Sequence, residues 1–347
     1  MFMNFWWPLA ASARVGQKPL RVTALQQEFV LYRTTNGAAQ VLSDLCVHRG
    51  GALSDGWMTG DCVVCPYHGW EFATDGACVR IPANAQGVPV PKKARVDSYP
   101  TVEKNGWVFG FLGDVASAER PPLADIPALD GANARRGSIT WNAPYEHVIA
   151  QIGDLQNSAF LLSDEFVDLP AALSDERATN TEWGAGVTAN INLPKRITRR
   201  LGGLVSREET APEIRNASVL LCAPCVTVHT LGQTRAVMAH VPVNATTTIT
   251  EWLIEQPIPK ADGAANGLEK MRRQIETTPV PDSAIGAALK RINQAAAKHG
   301  WSIDSELISA EYTNVKAVVI PSPARREVPE LAAAWVLKKV PTRLPDF

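Results

Sequence analysis

Between Leu45 and Trp70 the chain sets out Cys46-Val47-His48 and then, after sixteen intervening residues, Cys65-Pro66-Tyr67-His68. This constrains the fold more than any other feature, because two thiols and two imidazoles must converge from separate loops. Two thiolates suit one iron of a binuclear cluster, and two neutral imidazoles suit the other. The competing assignment is a structural zinc site of two cysteines and two histidines. Zinc signatures usually pair like with like, whereas here each half supplies one of each. That favours a mixed-ligand [2Fe–2S] cluster.

The flanking residues refine this. Cys46-Val47-His48-Arg49-Gly50 and Cys65-Pro66-Tyr67-His68-Gly69-Trp70 resemble the Rieske oxygenases, the terminal components of bacterial ring-hydroxylating and demethylating systems. The resemblance implies a Rieske [2Fe–2S] cluster on Cys46, His48, Cys65 and His68, and a reductase or ferredoxin as electron donor. Respiratory Rieske proteins carry an extra cysteine in each loop, joined as a disulfide. The matching positions here are Gly51 and Tyr67, so no such clamp is expected, and a potential of roughly −150 mV follows, at the bottom of the Rieske range. Gly50, Gly51 and Gly69 leave room for backbone to approach the cluster and to offer N–H groups to its sulfurs.

At 347 residues the chain has length for two domains. Its 46% apolar content and net charge of −1 read as a soluble globular protein without a nucleic-acid or membrane-surface partner. With two cysteines on the cluster, Cys62, Cys78, Cys222 and Cys225 remain. Cys62 reads as a core strand residue, and Cys222-Ala223-Pro224-Cys225 as a turn between strands. The aromatic patch near the N-terminus has no preceding positive charge, and no apolar run reaches about 18 residues. A cytoplasmic location is expected.

The fold class expected is α+β, an all-β Rieske domain over 1–120, a linker over 121–135, and a second domain over 136–347. In the first, strands are predicted at Arg21–Ala24, Glu28–Arg33, Ala39–Ser43, Cys62–Val64, Trp70–Phe72 and Trp107–Leu112, with turns such as Lys104-Asn105-Gly106 between them. In the second, a strand over Ser138–His147 leads into a helix over Ile149–Leu162. Strands over Glu182–Leu193, Ala217–Cys222, Val226–Leu231, Arg235–Val241 and Thr246–Ile254 follow, then helices over Leu268–Glu276 and Ala284–His299 capped by Asp282 or Ser283. An antiparallel sheet holding helices resembles the helix-grip domain of the Rieske oxygenases. The basic residues Lys195, Arg196, Arg199 and Arg200 read as a solvated face, or as a docking site for an acidic donor.

The resemblance breaks at one place. In active members a motif Asn-x-x-Asp-x-x-His-x-x-x-x-His supplies two ligands of a mononuclear Fe(II), completed by a late carboxylate. Here the stretch runs Gln151-Ile152-Gly153-Asp154-Leu155-Gln156-Asn157 and on to Leu162. The bridging aspartate is kept as Asp154, but Asn157 and Leu162 stand at the two histidine positions. His147, His229, His240 and His299 are not paired at helical spacing and read as ordinary residues. The iron triad therefore reads as lost, unless Asp154, Asp164 and Glu165 form a substitute shell.

Three readings follow. The first is a subunit passing electrons to a mononuclear iron in a neighbouring subunit, within the head-to-tail trimer or hexamer that the resemblance implies, whether from one chain or with an iron-bearing paralogue. The second is an active oxygenase with an unusual metal shell. The third is a free-standing ferredoxin-like carrier. In the first, Asp154 accepts a hydrogen bond from a Rieske histidine of another chain.

Overall fold

The structure is a computed structural model and describes residues 3–129, 131, 133–157, 172–201, 204–256 and 263–301. The chain divides into two units: Met1–Leu123 with Val243–Ala245 and Gly300–Phe347, and Ala124–Pro242 with Thr246–His299.

The first unit is built from small antiparallel sheets. Leu20–Ala24, Gln27–Arg33, Ala39–Ser43 and Ser98–Tyr99 form one, and Trp57–Thr59, Cys62–Val64, Glu71–Phe72 and Cys78–Arg80 another. A third joins Phe5–Ala11, Trp107–Leu112 and Thr101–Lys104. The strand Phe5–Ala11 is absent from the sequence-based set, and Pro8 lies inside it. Proline is accommodated because this strand pairs on one side only, and its register shifts between Pro8 and Ala10. Val30, Tyr32, Leu42, Val63 and Phe72 share one buried cluster with Cys46 and Cys65. The apolar core of the unit therefore forms the floor beneath both thiols.

The second unit is a seven-stranded antiparallel sheet. Its spatial order is Ala134–Trp141, Thr247–Glu255, Thr234–Asn244, Val226–Leu231, Leu204–Cys222, Gly184–Leu201 and Ala172–Thr181. The last strand is polar and exposed along its length, so no alternation marks it in the sequence. Among the described residues, three helices pack on the sheet, Tyr145–Ile152, Gly263–Thr277 and Ala284–Lys298. The third presents Ile285, Ala288, Leu289, Ile292 and Ala296 as its buried face, the spacing of an amphipathic helix. Its cap is Ser283, whose Oγ accepts the Gly286 N–H and donates to the Ala150 carbonyl.

Two sequence expectations are corrected around Tyr145–Ile152. The strand ends at Trp141 rather than His147, and the helix begins at Tyr145 directly after Pro144. That helix stops at Ile152 rather than running on to Leu162. A Cβ at Gly153 would lie 2.6 Å from Ile285 Cγ2 and 2.7 Å from the Ile149 carbonyl oxygen, so the chain bends where the helix Ala284–Lys298 crosses it. Asp154 then restarts a turn over 155–157, its Oδ1 accepting the Gln156 N–H at 3.0 Å, as an N-cap does.

Candidate functional site

The two cysteine–histidine loops are built alike. Cys46 N–H donates to the Gly51 carbonyl and Gly50 N–H to the Cys46 carbonyl; Cys65 N–H donates to the Trp70 carbonyl and Gly69 N–H to the Cys65 carbonyl. Gly50 and Gly69 turn back at φ +72° and +69°, a conformation that costs a residue with a Cβ. The neck of the first loop is clasped by Asp44. Its Oδ1 accepts the Ser54 N–H at 2.6 Å, its Oδ2 accepts the Ser54 hydroxyl at 2.7 Å, and Arg21 pairs with it at 3.2 Å.

Cys46 and Cys65 are 3% and 1% exposed, whereas His48 and His68 are exposed. The imidazole centroids lie 4.5 Å apart. Trp70, from the second loop, stacks on His48 of the first at 4.6 Å and 5° between planes. Tyr67 lies 4.1 Å from the His68 ring. An added Cβ at Gly51 would stand 3.0 Å from Cys65 Sγ and 3.2 Å from Tyr67 Cβ. The position of the respiratory clamp thus does face across the loops, and glycine leaves that space to the sulfur. All six cysteines are free.

The electrostatics match the donor set. Burial pushes the Cys46 thiol up to about 12, so its proton is surrendered to a bound metal and not to water. Burial, then His68 and Arg49, holds His48 below the usual histidine range, which keeps the ring neutral as ligation requires. Two buried sulfurs and two exposed imidazoles fit a cluster with one iron inward and one outward.

A protein-family profile described as the Rieske [2Fe-2S] domain matches residues 5–100. The iron-sulfur subunit TsaM1 of the toluene-4-sulfonate monooxygenase system of Comamonas testosteroni is 34% identical over 161 residues, 46% of this chain and 46% of that protein. The oxygenase component of dicamba O-demethylase from Stenotrophomonas maltophilia is 33% identical over 175 residues, 50% of this chain and 48% of that protein. These matches span about half the length of the curated relatives. Crystalline dicamba monooxygenase bound to dicamba shares the fold at a TM-score of 0.60, with 18% identity, covering 89% of this chain and 98% of that one. Residues 5–100 are a Rieske [2Fe-2S] domain, and the chain as a whole shares the fold of a Rieske oxygenase component. Its Rieske domain supports a [2Fe–2S] cluster.

In the second unit of this Rieske-domain chain, the motif residues stand at the helix break. Gln151 Nε2 donates to Thr278 Oγ1 at 2.7 Å. Asn157 is 7% exposed, and its Nδ2 donates to the Gln151 carbonyl at 2.7 Å. Asp154 is half-buried, and burial pushes its carboxyl above the usual range. Leu162, Asp164 and Glu165 lie outside the described residues. Lys195, Arg196, Arg199 and Arg200 lie on the strand Gly184–Leu201. Among the described residues no helix is long and apolar enough to cross a membrane.

Sequence reasoning missed the Asp44 clasp, the Trp70 platform and the pairing of His229 with His240 through Thr227. Only the two-residue spacing of Thr227 and His229 was available to signal the last. His240 reaches them from the adjacent strand.

Proposed function

We propose that this chain is the electron-relaying subunit of a Rieske oxygenase assembly, with its own mononuclear iron site lost. Cys46 and Cys65 hold the inner iron of the [2Fe–2S] cluster, and His48 and His68 the outer one. Bound there, such a cluster takes up one electron and gives it back. The buried thiols lie against the apolar core, so the imidazole edge is the side open to redox partners. A reductase or ferredoxin supplies the electron, and an iron-bearing neighbour in a trimer or hexamer receives it. Asp154 has one oxygen engaged by Gln156 and carries the link to the neighbour's Rieske histidine with the other. An ionised carboxylate accepts a strong bond from an imidazole N–H.

Asn157 carries this reading. At the place where the family resemblance puts an iron histidine, its buried amide is turned onto the Gln151 carbonyl. A neutral amide is a weak donor for Fe(II), and Leu162 offers no lone pair. Iron and acid-labile sulfide determined on anaerobically purified protein test the reading. Two irons and two sulfides per chain are expected. Three irons per chain, or oxygen-coupled turnover by this chain with a reductase alone, would overturn it in favour of an active oxygenase with a different metal shell.

A further inference from the structure

The helix Ala284–Lys298 presents two different flanks. Its buried face carries Ile285, Leu289 and Ile292. The flank beside it carries Ala284, Ala287, Ala288 and Arg291, and of these only Ala288 is buried. Across from this flank stand the edge strand Ala172–Thr181 and its neighbour Gly184–Leu201. Asn180 lies opposite Ala185 and Ala178 opposite Val187, so each pair shares a face of the sheet. Ala185 and Val187 are buried, while Ala178 and Asn180 are exposed. Helix flank and strands enclose a groove of about 300 Å³. Close packing leaves few voids larger than a water molecule in a folded protein, and this volume stands at the lower end of the range for ligand sites.

Arg291 closes one end of the groove. Its Nη1 donates to the Thr181 carbonyl, and its Nη2 to Asn180 Oδ1 and the Gly184 carbonyl, each at 3.0 Å. All three acceptors are neutral, and among the described residues no carboxylate pairs with this guanidinium. The tip of the hairpin is therefore tied to the helix by a charge that stays uncompensated. The guanidinium keeps N–H groups on Nε and Nη1 that these bonds do not use. Held by its oxygen, the Asn180 amide has its Nδ2 left as a donor. The groove thus has methyl walls and an end that offers positive charge and N–H donors. Its length follows from the helix, since Ala284 and Arg291 stand two turns apart, about 10 Å.

We propose that this groove binds a medium-chain aliphatic monoanion, its hydrocarbon chain along the alanines and its carboxylate or sulfonate at Arg291. An extended chain matches a trough about 10 Å long, and its burial against methyl groups is favourable. The anionic head supplies the counter-charge that the guanidinium lacks and accepts from its free N–H groups. A cation is disfavoured by like charge, and a neutral head leaves the guanidinium charge unanswered. Ile285, on the neighbouring face of the helix, is the residue that meets Gly153, so the groove is not built from the motif residues around Asp154. The inference goes beyond the electron-relay reading and holds whether or not the chain binds a mononuclear iron.

The test uses the oxidised full-length holoprotein, ¹³C-labelled at its alanine methyl groups and titrated by NMR. Octanoate, octanamide and octylammonium serve as probes of one length: an anion, its neutral counterpart and a cation. Octanoate is expected to shift the methyl resonances of the groove and to bind about fivefold more tightly than octanamide, the worth of one solvent-facing charge pair. Octylammonium is expected to bind more weakly than either. Salt at about 1 M should bring octanoate down to the octanamide value. Ala287→Leu changes an exposed helix position to another good helix former, so its melting temperature is expected to stay that of the parent. Its larger side chain fills the groove and should weaken octanoate binding by about tenfold or more, and the resonance it removes assigns Ala287. Arg291→Gln is expected to bind octanoate and octanamide alike, and Arg291→Lys to keep the preference. Equal binding of octanoate and octanamide to the parent, no response to octanoate at millimolar concentration, or undiminished binding by Ala287→Leu would overturn the proposal. None of these readouts depends on iron content.

Discussion

Gly50 and Gly69 hold the same place in two copies of one loop. Each lies four residues after its loop's cysteine, at φ +72° and +69°, with its N–H on that cysteine's carbonyl oxygen. The loops differ in where they put the histidine, two residues after Cys46 and three after Cys65. The shared turn is what aims both sulfurs inward. Alanine at either position forces a Cβ into the left-handed region, at a cost of about 1–2 kcal/mol. Gly69→Ala also brings that Cβ to 3.1 Å from Pro82 Cγ, whereas at Gly50 the nearest atom is Leu45 Cδ1 at 3.5 Å. Gly69→Ala is therefore expected to lose its visible cluster absorbance faster on dilution than Gly50→Ala. Equal retention in both variants and the parent would refute this account of the loops.

His48 and His68 are expected to be indispensable to the reduced protein's Rieske-type electron paramagnetic resonance signal, and alanine at either should abolish it. Trp70→Leu is a milder change. It removes a parallel stack on His48 that contributes about 0.5–1.5 kcal/mol, so the signal is expected to persist but broaden as the ring gains freedom. Stoichiometric zinc and no acid-labile sulfide in protein made with ample iron would refute the cluster assignment.

The Asp44 clasp predicts a stability loss centred on the first loop. Asp44→Ala leaves the buried Ser54 N–H and hydroxyl without their acceptor, while Arg21 keeps Asp55 and Ser54 Oγ, at a cost of about 1–3 kcal/mol. Asp44→Asn retains an acceptor oxygen and is expected to lose less. Urea midpoints of the three proteins, read by tryptophan fluorescence, give the ranking. An alanine variant as stable as the parent would count against the clasp.

Acid should destabilise the second unit through its two buried histidines. Both stay neutral in the fold down to about 3, while the unfolded chain takes up protons below about 6.5. The unfolded state therefore binds more protons across that window, and stability falls as pH drops from about 6.5 towards about 3. The slope approaches 1.4 kcal/mol per pH unit for each histidine, to order of magnitude ~1. Thermal melts at pH 7.5 and 5 compare the parent with the double variant His229→Gln, His240→Gln. A flatter pH dependence is expected in the variant, and an unchanged one would show that other groups set the acid response.

Cys46, His48, Cys65 and His68 were legible from sequence because cluster ligation is a local pattern: each loop carries its own pair, a few residues apart. The strands Ala39–Ser43, Cys62–Val64, Trp107–Leu112 and Val226–Leu231 were legible for the same reason, as short apolar or β-branched runs between turn residues. Pro8 hid a strand, since proline argues against one until the sheet order makes it an edge. Gly153 ended a helix early because Ile285, far away in the chain, occupies the space a side chain would need. His229 and His240 looked ordinary at their spacing. Their link through Thr227 exists only because antiparallel register sets two strands side by side, and register is decided by packing between distant segments rather than by any one of them.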